Sequence, residues 1–177
     1  MKKYFILILF CLYFSLFTQK IPFKLNNPED LFFSISDTLD KNLPKNIEIL
    51  VYDPYLLNDK SQQFNQLIEN FKLILSSQSM ISNFTIYFIE DVLEKDDRFT
   101  KEMIANANEP DLIGIAQILN IDAIFLSNIT ILPDKSKNIW SKELKKRKAH
   151  PIALFQGNII SQDNKLLIRF ADYFYIN

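Results

Sequence analysis

The sequence predicts an α/β fold, a mixed β-sheet with helices packed on it, in the order α-β-α-β-α-α-β-β-β with a C-terminal antiparallel meander. Three observations predict it. The first half alternates segments of helical apolar spacing with short apolar runs rich in β-branched and aromatic residues, the pattern of a layered α/β domain. The stretch Ile121–Leu126 is apolar at both parities, as in a strand covered on both faces. The last quarter holds two long strand-like runs joined by a short Asp/Asn turn.

The first helix starts with Asn27 as N-cap, Pro28 at the first position and Glu29 and Asp30 in the first turn. Leu31, Phe32, Ile35, Leu39 and Leu43 follow at helical spacing, and Pro44 ends the helix, because the residue before a proline is pushed out of helical geometry. Ile47–Tyr52 reads as the first strand, ended by Asp53-Pro54, with a loop over 54–60. Ser61 is placed to cap a second helix whose buried face is Phe64, Leu67, Ile68, Phe71, Ile74 and Leu75, and the polar residues at 76–79 are expected to end it. Phe84–Ile89 reads as the second strand, and Glu90-Asp91 open a charged helical stretch to about Asn108.

Pro110–Leu132 is a short helix turning directly into a strand. Pro110 suits the first helical position, Asp111 complements the helix dipole, and Leu112, Ile115, Ala116 and Leu119 form the apolar face. Asn120 stands where a helix ends on a left-handed residue. Pro133–His150 is a polar interruption, followed by strands over Ile152–Ile160 and Lys165–Ile176 around Ser161-Gln162-Asp163-Asn164. The chain has only two glycines, Gly114 and Gly157, so Asn and Ser are expected to do the turn work that Gly does elsewhere.

The domain division follows from these features: 1–20 as a signal peptide or membrane anchor, 21–27 as a short tether, and 28–177 as a single α/β domain with a polar insertion at 133–150. Lys2 and Lys3 precede an uncharged apolar run of fourteen residues, Tyr4–Phe17, the size of a secretory core and short of the ~20 residues of a spanning helix. Export to the periplasm, with attachment to the inner or outer membrane through this segment, is the expected location. Two readings of Cys11, the only cysteine, stay open: a lipidation site, or an incidental apolar residue. The preceding Ile8-Leu9-Phe10 lacks the small residue that a lipobox places ahead of its cysteine.

Net charge is −1, and without the first twenty residues 17 basic residues face 21 acidic ones, a net −4. A general nucleic-acid binder is expected to be basic, so no nucleic-acid partner is expected. The chain lacks G-x-G-x-x-G and Walker A phosphate loops and a G-x-S-x-G elbow, and its single histidine, His150, excludes zinc sites of Cys/His type. Neither a catalytic residue, a cofactor nor a metal is expected. Glu90, Asp91, Glu94, Asp96 and Asp97 cluster after the second strand, and Asp53 ends the first; with no complementary ligand set in view, a solvated helix start accounts for the cluster better than a cation or acid/base site does, and Asp53 reads as a turn-initiating residue. The candidate partner-binding residues are Trp140, Lys142, Lys145, Lys146, Arg147 and Lys148 in the insertion, because long loops often carry function and an exposed Trp anchors interfaces.

Four segments resemble a bacterial envelope assembly-lipoprotein superfamily, the CsgG/LpoB/FlgO-type domain of curli-secretion, penicillin-binding-protein-activator and flagellar outer-membrane assembly lipoproteins. They are the leading helix running into N-I-E-I-L-V-Y-D-P, the helix 61–75 followed by F-T-I-Y-F-I-E, the helix-to-strand passage I-L-N-I-D-A-I-F-L-S-N-I, and the closing hairpin. The resemblance covers residues 28–177. Asn120 replaces the expected Gly, Ser127 stands where many members have Gly, and the Trp often found in the closing strand is missing. The resemblance implies a non-enzymatic subunit binding other envelope proteins, with self-association open. The short tether and the helix directly before the first strand place it nearest the flagellar assembly type. The alternative is an exported small-molecule or polysaccharide-binding domain, or a degenerate enzyme, using the strand ends near Asp53 and Glu90.

Overall fold

The computed structural model describes residues 27–57, 62–132 and 152–175. The elements are α1 (Pro28–Asn42), β1 (Ile47–Val51), β2 (Tyr55–Leu57), α2 (Gln62–Ser79), β3 (Phe84–Phe88), α3 (Ile89–Lys95), α4 (Lys101–Asn106), α5 (Glu109–Leu119), β4 (Ala123–Ile131), β5 (Ile152–Ser161) and β6 (Leu166–Tyr175). The sheet runs β3-β1-β4-β5-β6, with β2 beside β4. β3, β1, β2 and β4 pair in parallel, and β4, β5 and β6 antiparallel, so the sheet is mixed as expected.

Each face of the sheet has its own apolar layer. On the first face, Leu31, Phe32, Ile35 and Leu39 of α1 and Phe64, Leu67, Phe71, Ile74 and Leu75 of α2 pack on Ile49, Val51, Ala123, Phe125, Phe155 and Phe174. Phe71 is central there: its ring lies 5.1 Å from that of Phe32 and 5.8 Å from those of Phe125 and Phe155. On the second face, Val92, Ile113, Ile115 and Ala116 cover Leu50, Tyr52, Ile124 and Ile160. β4 is thus apolar at both parities because it is the inner strand of three layers.

Local chemistry sets the element ends. Asn27 Oδ1 accepts from the Asp30 amide at 2.6 Å. Asn108 and Asp111 form a reciprocal capping box at the start of α5, which puts Glu109 ahead of Pro110 in the first turn. The three described non-glycine residues with positive φ are all asparagines, Asn46, Asn120 and Asn164. Asn120, at φ 56° and ψ 39°, turns α5 into β4 as the sequence predicts.

Four expectations are corrected. The stretch 54–60 is not wholly loop, because Tyr55–Leu57 resumes the parallel ladder along β4. Val51 pairs with Phe125 and Tyr55 with Asn128, so four steps on one strand meet three on the other, and Asp53-Pro54 fills the resulting bulge. α2 does not stop at Leu75: the Ser77 and Ser79 hydroxyls donate to the Ile74 and Ser76 carbonyls, and the helix runs through these residues to end at Ser79. The charged stretch 90–108 is two helices, because Phe99 is buried and Thr100 caps a new helix by accepting from the Met103 amide. The apolar face of α5 also centres on Ile113, Ile115 and Ala116, with Leu112 and Leu119 at its margins.

Candidate functional site

Among the described residues, two places on this frame are candidates for a site. The first is the carboxyl end of β1 and β3. From β1 the chain passes by way of β2 to α2 on the first face, and from β3 it passes to α3 on the second. Adjacent strands whose chains depart to opposite faces make a topological switch point, where open α/β sheets leave a crevice. Asp53 and Glu90 both stand there. Lys72, on α2, reaches between them: its Nζ lies 2.7 Å from Asp53 Oδ1, 2.6 Å from Glu90 Oε1 and 5.9 Å from the centre of the Phe88 ring.

The Lys72 side chain is only 17% exposed, against 41% for Asp53 and 44% for Glu90. Burial alone would lower the Lys72 pKa, but its hydrogen bonds to the two carboxylates outweigh that and hold it above the ordinary lysine value. Burial pushes the Asp53 carboxyl up, assisted by repulsion from Glu90 and only partly opposed by Lys72. Glu90 meets the same burial but is drawn below the ordinary value, chiefly by its hydrogen bond from Lys72. An ammonium is therefore clamped between two acids at the crevice. It fastens α2 to the ends of β1 and β3 through Asp53 Oδ1 and Glu90 Oε1, while Glu90 Oε2 is buried without a hydrogen-bond partner.

Two of the other acids, Asp91 and Asp96, are absorbed locally. Asp91 accepts from the Phe88 amide at the start of α3. Asp96 binds the Arg98 guanidinium two residues on, which holds its pKa at about 2. Among the described residues no group of three His, Cys, Asp or Glu side chains is placed to hold a metal ion. Asp122 and Asp40 tie the opposite end of the sheet, accepting from the amides of Glu48 and Asn83, each at 2.9 Å.

The second place is a groove of about 390 Å3 on the second face, beyond the N-terminus of α5. Tyr55, Asn128, Gln156 and Ala171 form one row across β2, β4, β5 and β6, and Leu126, Asn158 and Arg169 form the next. Asn158 Oδ1 accepts from Arg169 Nε at 3.3 Å. Glu109 stands at the rim. Sequence reasoning missed all of these. Tyr55 fell in a supposed loop, and the alternating polar residues of β5 and β6 looked like an ordinary solvated face.

The residues expected to bind a partner, Trp140, Lys142, Lys145, Lys146, Arg147 and Lys148, lie outside the described residues, as do Cys11, Ser61 and His150. No described helix is long and apolar enough to cross a membrane.

This architecture belongs to the class of layered α/β domains with a mixed sheet, parallel on one side and a meander on the other. In particular, it is similar to the LpoB C-terminal domain. The Escherichia coli domain matches with a TM-score of 0.55 at 9% identity, over 84% of this chain and 98% of that one. The Salmonella enterica domain matches at 0.51 and 9%, over 83% and 94%. The solution structure of E. coli LpoB matches at 0.52 and 10%, over 89% and 74%. The likeness is one of fold. No family model matches the sequence, and no curated protein does.

Proposed function

We propose that this chain is an exported, non-catalytic accessory domain of the bacterial envelope that works by docking onto other envelope proteins. The observation that carries the reading is the Lys72 clamp. In this fold the crevice where an α/β enzyme would work is occupied by the chain's own ammonium, fastened to Asp53 and Glu90. The extended likeness to LpoB domains points the same way, because it spans almost the whole of the two isolated C-terminal domains.

In this reading residues 1–20 direct export and serve as a signal peptide or anchor, with Cys11 the candidate lipidation site. Residues 21–27 tether the domain to the inner or outer membrane. Trp140 and the basic run Lys142, Lys145, Lys146, Arg147 and Lys148 supply contacts to an acidic partner surface, and self-association is a second mode of assembly. A flagellar partner is the finer reading. It rests on the short tether and the leading helix, and the LpoB likenesses add nothing to it. An enzyme or small-molecule site at the strand ends would need Lys72 to release Asp53 Oδ1 and Glu90 Oε1, so the clamp disfavours it.

The test is crosslinking in intact cells followed by affinity purification of the full chain, beside a variant carrying Lys145→Glu, Lys146→Glu and Arg147→Glu. A defined set of envelope proteins should crosslink to the first and be depleted with the second. An unchanged set in the variant removes the loop from the interface, and the absence of any envelope protein overturns the docking reading. Intact mass of the purified protein decides among cleavage, lipidation and retention.

A further inference from the structure

We propose that the groove on the second face is a binding site for a neutral glycan chain. The inference goes beyond the docking reading and stands on the groove alone. Its lining is amide-rich and close to charge-balanced: Asn128, Gln156 and Asn158 on the strands, with Glu109 and Arg169 as one acid and one base. An amide side chain offers two donors and an acceptor, and a sugar hydroxyl both donates and accepts, so the two sets complement one another without any ionic charge.

Three further features favour a sugar. The Tyr55 ring is 70% exposed at the rim, an amphipathic plate of the kind that covers the C–H face of a pyranose while its hydroxyl stays wet. Ala171 ends its row on β6, opposite Gln156 and two residues along the strand from Arg169, and its short side chain leaves room above the sheet beside them. Asn128 Oδ1 is buried without a hydrogen-bond partner. An enclosed acceptor left unpaired is costly, so this amide has hydrogen-bonding capacity that the fold itself does not use. The volume falls within the range of small-ligand clefts, roughly 300–1,000 Å3.

A polypeptide fits the groove less well. Extended peptides pair with a sheet edge, amphipathic helices need an apolar trough, and acidic or phosphorylated motifs need a cluster of Arg. The groove lies on a sheet face between inner and outer strands, has amides among its apolar residues where a helix would need a continuous apolar trough, and carries a single Arg already hydrogen-bonded to Asn158.

The test is calorimetric titration of the full chain, held in amine-oxide micelles free of sugar headgroups, with chitotetraose and with cellotetraose. Saturable binding of either supports the site, provided that Tyr55→Ala and Gln156→Ala each weaken it by about tenfold, the equivalent of about 1.4 kcal/mol. The variants are compared with the parent by thermal melting. Gln156 is exposed, so its variant keeps the proposal testable if Tyr55→Ala unfolds. The proposal is overturned if neither sugar saturates, if both folded variants bind as the parent does, or if tetra-alanine competes equally with the sugar. Loss of glycan binding with crosslinked partners unchanged, or the reverse, separates this site from the docking reading.

Discussion

Lys72 lies between Asp53 and Glu90 with a side chain only 17% exposed, and the three groups respond differently to pH. Glu90 has a folded pKa below its ordinary value, so its contribution to stability is full above the ordinary carboxylate range and is lost as pH falls through the folded value. Lys72 has a folded pKa above its ordinary value, so its contribution is full below the ordinary lysine range and is lost as pH rises through the folded value. Asp53 is raised, so its ionised form is disfavoured by folding and neutralising it is mild. At neutral pH, therefore, Glu90→Gln is expected to destabilise more than Asp53→Asn. Lys72→Met, which leaves two acids facing each other, should cost the most, about 1–2 kcal/mol, between the values for exposed and for buried pairs. Urea midpoints at pH 7 check the order, and Asp53→Asn proving the worst of the three would refute this account. Repeating the series at pH 3 should shrink the Glu90→Gln difference.

The caps show what an element owes to single residues. Asn120 ends α5 in the left-handed region, and its amide bonds back to the carbonyls of Ala116 and Gln117. Asn120→Gly should be neutral or slightly stabilising, because Gly meets no Cβ penalty there, whereas Asn120→Ala should cost about 1 kcal/mol. Thermal melting of the pair checks it, and Ala equal to Gly would mean the turn is not what holds the helix end. Such ends were legible in the sequence because caps act over three or four residues: Asn27, Pro44, Asn120 and the turn before Lys165 all stand where expected. The misses have longer-range causes. β2 is three residues that read as loop until β4 lies beside them. The serines at the end of α2 looked like a stop, but they bond back to their own helix. In the candidate site, Asp53 and Glu90 were legible as residues at strand ends. Lys72 was not, because nothing in an amphipathic helix says which polar residue will meet two acids 19 and 18 positions away. The groove was illegible for the same reason: its rows cross four strands, and register is a property of the assembled sheet.

On the scale of the whole molecule, the two apolar layers share one strand, and that sets the order in which the structure opens. Ala123–Phe125 is flanked by β1 and β5 and has α1 and α2 on one side and α5 on the other. Its backbone amides can exchange only when both layers and both neighbouring strands release it. β3 and β6 are the outer strands and hold their ladders from one side. α3 and α4, of 7 and 6 residues, are too short to be stable alone and rest on Val92, Phe99 and Ile104 against the second layer. Opening should therefore begin at α3 and α4, pass to the outward amides of β6, and reach Ile124 and Phe125 only in global unfolding. Hydrogen exchange of the folded protein reads this directly. The slowest amides should lie in β4 and in the adjoining parts of β1 and β5, with free energies equal to that of denaturant unfolding. If α3 and α4 were protected as strongly as β4, the second layer would be part of the same cooperative unit and not the weaker of two. A destabilising change in the first layer, such as Phe71→Ala, should then lower protection in β4 and in α5 together, because the shared strand couples them. If α5 kept its protection while β4 lost it, the two layers would be independent and the central role given to β4 would fail.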